Sequence, residues 1–280
     1  MSFVLFATLI IGQAGIPRGD AKVEIDFGTA KIDVFTYKPA KYQDGPMLMV
    51  FHGMNRNAQD YRDHARAMGD RFGMIVAAPL FDSAQFGSGK YQQGGLFRNG
   101  KLVPRQEWTW SYVPRLADKL RAIEGRPTMP YYLIGHSGGG QFLVRLTAFV
   151  PTEASRIVAA NPGSDLFPTN ELPYPYGFGK LPGELANEET LRAYLARPLT
   201  IYLGEKDTVR DEDLDTSREA DLQGQSRHER GTNAFNRAKA LAASKGWSFG
   251  WKLVEAPGIG HDHELMFNAP TCETALFGAK

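Results

Sequence analysis

Short runs that are apolar nearly from end to end, separated by stretches with helical spacing, constrain this chain more than any other feature. Residues 47–51, 74–78, 131–134, 156–160, 199–203 and 249–255 read as strands. A strand without polar alternation is buried on both faces, which is the condition of a parallel sheet covered by helices. Between these runs, apolar residues recur at helical intervals. Tyr61, Ala65, Met68 and Phe72 mark a helix from Ala58 to about Phe72, and further helices are expected over 113–123, 138–150 and 232–245. Residues 22–27 and 31–37 instead alternate apolar and polar around Gly28, as an antiparallel hairpin would. The expected fold is therefore α/β: a mostly parallel twisted sheet with an N-terminal antiparallel hairpin and helices on both faces. In such sheets, reactive groups collect at the carboxyl ends of the strands.

The remaining segments set the domain plan. Residues 81–105 are rich in Gly, Gln, Ser and Tyr and read as a long surface loop. Residues 162–185 hold five prolines and four glycines, which excludes regular helix and interior strand. One or two helical turns are expected at 191–195, and a final helix just after His261. One domain is expected over 22–280, with a Pro/Gly-rich insertion at about 162–196. Residues 1–21 are expected to be a signal peptide or an N-terminal extension: the apolar run at 3–11, followed by Gly12, Ala14 and Gly15, has the length of an export-signal core. It lacks a basic leader and is too short to span a bilayer. A periplasmic or secreted location is favoured over a cytoplasmic one.

Charge and cysteine content exclude several classes. Lys plus Arg number 32 against 31 Asp plus Glu, so no overall field draws the chain to nucleic acid or an anionic membrane. Cys272 is the single cysteine, which rules out an intramolecular disulfide and a multi-thiolate zinc site. It is expected to be a buried structural thiol.

After the strand at 131–134 comes Gly135-His136-Ser137-Gly138-Gly139-Gly140, and then a helix. A serine between glycines at an abrupt strand-to-helix turn is exposed at the tip, while the glycines remove Cβ atoms that would clash. The helix N-terminus beneath it favours negative charge. Ser137 is thus the candidate nucleophile; the competing reading is a serine that only caps the helix.

From the hairpin to the final helix, the chain resembles the α/β-hydrolase superfamily. Its nearest likeness is to the esterase and depolymerase branch, which includes polyhydroxybutyrate-depolymerase-like and feruloyl-esterase-like proteins. The resemblance rests on His52-Gly53, the Gly-His-Ser-Gly-Gly elbow and Gly258-Ile-Gly-His261. It implies a nucleophile, an acid and a histidine in that chain order. His261 follows the strand at 249–255 through a flexible turn and occupies the place of the superfamily's catalytic histidine. His263 is a rival, expected to sit on the following helix and point elsewhere, and His228 lies in a charged stretch read as solvated surface. Neighbours at i and i+2 do not share a helix face, so His261 and His263 do not suggest a metal site.

Asp207, in the turn after the strand at 199–203, stands where the superfamily carries its carboxylate; Glu205, Asp211 and Asp213 compete with it. Oxyanion donors are expected at the backbone N–H of Gly138 and, by resemblance to the His-Gly motif, at Met54. Tyr91, Trp108, Trp110 and Tyr112, together with Tyr174, Tyr176 and Phe178, are candidates for an apolar substrate wall, with Trp110 and Tyr176 foremost; packing of loops onto the body is the alternative. The expected activity is hydrolysis of a small-molecule or polymeric carboxylic ester through an acyl-serine, without cofactor or metal. Amide cleavage by the same machinery and a non-catalytic hydrolase-like binding protein are the alternatives.

Overall fold

The computed structural model describes residues 15–278. The apolar run at 3–11, and its reading as an export signal, lie outside the described residues. Eight strands form the main sheet: β1 Gly19–Asp26, β2 Lys31–Lys38, β3 Met47–Phe51, β4 Ile75–Pro79, β5 Tyr131–His136, β6 Ile157–Ala160, β7 Leu199–Gly204 and β8 Lys252–Ala256. Their order is β1-β2-β4-β3-β5-β6-β7-β8. The β1–β2 and β2–β4 pairs are antiparallel and all others parallel, as the hairpin and the unbroken apolar runs required.

Burial on both faces is visible in β3. Met47, Met49 and Phe51 belong to one core cluster, whereas Leu48 and Val50 belong to the other. Ala58, Tyr61, Met68, Met266 and Cys272 pack on the second face, and Phe142, Leu143 and Leu146 on the first. Cys272 is fully buried. Eight helices of six residues or more cover the described sheet: α1 Ala58–His64, α2 Arg66–Phe72, α3 Tyr112–Glu124, α4 Gly138–Phe149, α5 Glu188–Ala196, α6 Arg227–Lys245, α7 His263–Asn268 and α8 Thr271–Phe277. None of the described helices is long and apolar enough to cross a membrane.

Three elements depart from the sequence expectation. The helix expected over 58–72 is two helices, because the Ala65 N–H is shared between the Tyr61 and Arg62 carbonyls and its ψ relaxes to −3°. Helix α6 starts at Arg227 rather than 232, since the Ser226 hydroxyl accepts the Glu229 N–H and caps its first turn. His228 therefore lies in a helix, where it remains at the surface with its Nε2 2.7 Å from the exposed Glu255 carboxylate. Residues 81–105 are not a mere surface loop: Phe81, Phe86, Tyr91 and Leu96 are buried, and the rings of Phe81 and Tyr91 pack on Phe142. A single turn at Ser88–Tyr91 and a two-stranded ribbon, Phe97–Arg98 with Lys101–Leu102, organise that segment.

The sheet order reverses direction between β3 and β5, with β4 on the far side of β3. That switch opens a crevice at the carboxyl ends of the two strands. Phe51 of β3 pairs with Gly135 of β5, and His136 with Ala160 of β6, so the turns after these three strands emerge side by side.

Candidate active site

Ser137 joins β5 to α4 with φ 56° and ψ −118°, a conformation that non-glycine residues rarely adopt and that costs on the order of 1–3 kcal/mol. It is held by its own N–H to the Ala160 carbonyl and by the Gln141 N–H to its carbonyl. The flanking glycines are required by contact. A Cβ at Gly135 would lie 2.5 Å from the Gly139 carbonyl oxygen, one at Gly139 would lie 2.2 Å from that of Phe51, and one at Gly140 would lie 2.7 Å from that of Ala160. The turn is thus jammed between β3 and β6.

The loop after β3 is fixed by His52, which is fully buried. Its Nε2 accepts the Phe81 N–H at 3.1 Å, so its Nδ1 carries the proton and donates to the Gly53 carbonyl at 2.9 Å. Burial lowers its pKa to about 4, so the ring is neutral. Tyr91 stacks on this ring and donates its hydroxyl to the His52 carbonyl. A Cβ at Gly138 would stand 3.3 Å from the Met54 nitrogen, which puts the Met54 and Gly138 main chains next to each other beside Ser137.

His261 Nδ1 lies 2.7 Å from Asp207 Oδ2. Asp207 is 2% exposed, its other oxygen 3.6 Å from the Arg227 guanidinium. Arg227 is also buried and binds Asp211 through two bonds of 2.7 Å; these carboxylates hold its pKa above the ordinary value despite burial. Of the acids that competed with Asp207, Glu205 accepts the Gly258 N–H, Asp211 is taken by Arg227, and Asp213 stands on the cavity rim. Ser137, His261, Met54 and Tyr176 all line one cavity of about 450 Å³. The structure therefore brings Asp207 to His261 and places His261 and Ser137 on a common wall.

One neighbour, His136, had no role assigned from sequence, and another, His263, sits differently from expectation. His136 is buried with its ring centroid 4.5 Å from that of His261; burial, then the charges of His261 and His263, push its pKa well down. His263 does not point elsewhere. It lines the cavity, lies flat on Tyr61 at 4.0 Å and has its Nε2 2.9 Å from His64 Nδ1, so its ring is engaged there and not with a carboxylate. Among the described residues, no group of three or more His, Cys, Asp or Glu is placed to hold a metal ion.

The wall is more polar than the aromatic content of the sequence suggested. Trp110 is not part of it: the ring is fully buried, stacked on Phe149 at 5.6 Å, and so close to Gly94 that a Cβ there would lie 2.6 Å away. Core packing claims this ring. Tyr91, Trp108 and Phe178 are likewise buried and absent from the cavity lining. Tyr176 is the aromatic that remains, its hydroxyl bonded to Asp215 and Ser217. Gln92, Gln93, Gln141 and Ser164 line the wall beside it. Beneath them Arg145 of α4, 1% exposed, donates to the carbonyls of Pro175 and Gln92 and to the Ser164 hydroxyl. A chain of spaced arginine, amide and hydroxyl groups on one wall was not legible because it draws on four separate segments.

No protein-family model and no curated protein sequence matches the chain. Among solved structures, it is 32% identical to a poly(3-hydroxybutyrate) depolymerase from Bordetella parapertussis, over 94% of this chain and 92% of that one, with a TM-score of 0.85. It is 31% identical to poly(aspartic acid) hydrolase-1 from Sphingomonas sp. KT-1, over 90% of this chain and 96% of that one, with a TM-score of 0.82. The siderophore hydrolase EstA from Aspergillus nidulans, 13% identical over 96% of this chain and 100% of that one with a TM-score of 0.56, shares the fold. Fold, sheet order and these two likenesses above 30% identity agree: the chain belongs to the α/β-hydrolase superfamily and is a serine hydrolase.

Proposed function

We propose that the protein hydrolyses carboxylic esters through an acyl-serine formed on Ser137. His261 takes the Ser137 proton at Nε2, the nitrogen left free by its bond to Asp207, as the hydroxyl oxygen attacks the ester carbonyl. Asp207 fixes that tautomer and stabilises the imidazolium. The Met54 and Gly138 N–H groups receive the oxyanion, an interaction worth about 3–4 kcal/mol per donor in comparable sites. His261 then returns the proton to the leaving alcohol, and a water activated at the same nitrogen releases the acid. The observation that carries this reading is the 2.7 Å His261–Asp207 bond on the wall that the strained Ser137 shares. The polar lining supports a substrate with repeated hydrogen-bonding groups, such as an oligomeric ester, over a plain aliphatic or aromatic one.

The likeness to a poly(aspartic acid) hydrolase favours a second reading, amide cleavage by the same residues. Both are tested by incubating wild type and Ser137→Ala with a fluorophosphonate probe, short p-nitrophenyl esters, an oligomeric hydroxy-acid ester and a peptide p-nitroanilide. Ser137-dependent labelling with ester turnover is expected. Anilide turnover without ester turnover would transfer the assignment to amides, and Ser137→Ala activity equal to wild type would overturn both.

A further inference from the structure

Asn161 follows β6 directly, is fully buried, and holds φ 43°, a left-handed conformation that Asn and Gly tolerate best. Its side chain touches three turns at once. Oδ1 accepts the Gly204 N–H at 2.7 Å, at the end of the strand that leads into Asp207. Nδ2 donates to the Gly260 carbonyl at 3.1 Å, one residue before His261. The same nitrogen lies 3.4 Å from His136 Nε2, one residue before Ser137. The amide orientation is dictated by these partners, because Gly204 offers only a donor and Gly260 only an acceptor. The Asn161 N–H is spent on the Tyr202 carbonyl, which anchors the residue to β7 independently of its side chain.

We infer that Asn161 is a positioning residue that sets the relative placement of the nucleophile, acid and base turns through a single carboxamide. This rests on the serine-hydrolase reading above and adds to it a residue that makes no covalent contribution. The residues that carry the chemistry are far apart in sequence, and their turns meet over the end of β6. A carboxamide bonded to two of those turns and facing the third resists their sliding. A displacement of about 1 Å between reacting groups is enough to cost roughly 100-fold in rate. Asn161 also orders the ring below His261. With Nδ2 donating to it, His136 Nε2 is an acceptor, which leaves the proton on Nδ1, facing the Tyr61 hydroxyl 3.5 Å away.

Two substitutions separate positioning from simple stability. Asn161→Gly keeps the left-handed backbone and removes all three side-chain contacts. Asn161→Asp keeps the bond from Gly204 but presents an acceptor to the Gly260 carbonyl and to His136, and places a carboxylate near His261. Turnover of a p-nitrophenyl ester is measured per active site titrated with the fluorophosphonate, beside wild type and Ser137→Ala. Asn161→Gly is expected to lower kcat per titrated site by about 10- to 100-fold, with KM changed less than about three-fold. Asn161→Asp is expected to move the acidic limb of the kcat/KM profile to higher pH. Turnover per titrated site within about two-fold of wild type in Asn161→Gly, with a smaller titrated fraction or without one, would overturn the inference. Full activity of Ser137→Ala would instead overturn the hydrolase reading on which it rests.

Discussion

Asp207 has one oxygen on His261 and the other turned to Arg227, with almost no exposure to water. An isosteric amide at this position would keep the packing but offer an N–H to the imidazole in one orientation and no charge in either. Asp207→Asn is therefore expected to lower kcat by about 10³–10⁴-fold with little change in the unfolding midpoint. Steady-state ester hydrolysis beside a thermal melt checks this, and near-normal turnover would move the role to another carboxylate. The choice of Asp207 over Glu205, Asp211 and Asp213 was legible as position after a strand. The geometry that supports it was not: Asp207 bonds His261 while Arg227, twenty residues on, occupies Asp211. Trp110 shows the converse. Its ring chemistry suits a substrate wall, yet whether an aromatic faces a ligand or a core depends on what packs around it, here Phe142, Phe149 and Gly94.

The strand-to-helix turn is the element that sequence specifies best, because steric exclusion writes glycine into each crowded position. Gly139 is the tightest of them, its missing Cβ aimed at the Phe51 carbonyl. Gly139→Ala must push α4 away from β3, and a loss of about 1–3 kcal/mol is expected, together with slower fluorophosphonate labelling. Chemical denaturation measures the first, and an unchanged midpoint would show that the turn has slack. The inner parallel strands β3, β6 and β7 were equally plain, since every residue in them is buried. The edge strand β8, half-exposed and carrying Lys252 and Glu255, begins at 252 rather than 249. Segment 81–105 was opaque for the opposite reason. Its Phe81, Phe86 and Tyr91 are spaced by glycines and polar residues with no period, and they become core through ring contacts: Phe81 and Tyr91 pack on Phe142 of α4, and Phe86 packs on Phe81 and Tyr112. The start of α6 was encoded in Ser226 and Glu229 but lay within a run of charges that reads as surface.

At the scale of the molecule, two neutral imidazoles sit in the sheet's upper edge. His52 is enclosed by Tyr91 and Arg56, and His136 by His261, His263 and Arg227. Both have folded pKa values below the ordinary 6.5, so their contribution to stability is complete above pH 6.5. It declines as pH falls, because the unfolded chain binds protons that the folded chain refuses; for His52 the loss runs down to about pH 4. Protonated His52 could no longer accept the Phe81 N–H. The buried Asp165 carboxyl, pushed up to about 7 by burial, opposes this loss over the same range, so the test is a comparison. Between pH 7 and pH 4.5 the unfolding midpoint of wild type is expected to fall by several degrees relative to that of His52→Gln, and parallel profiles by calorimetry would contradict the burial of this ring. Arg145 carries a different consequence. Its guanidinium ties Pro175 from the proline-rich segment and Gln92 from the opposite loop to the same helix that begins at Ser137. Both lips of the mouth are thereby riveted to one girder, so the aperture is set when the chain folds, and a guest is accepted for matching it rather than by making it close.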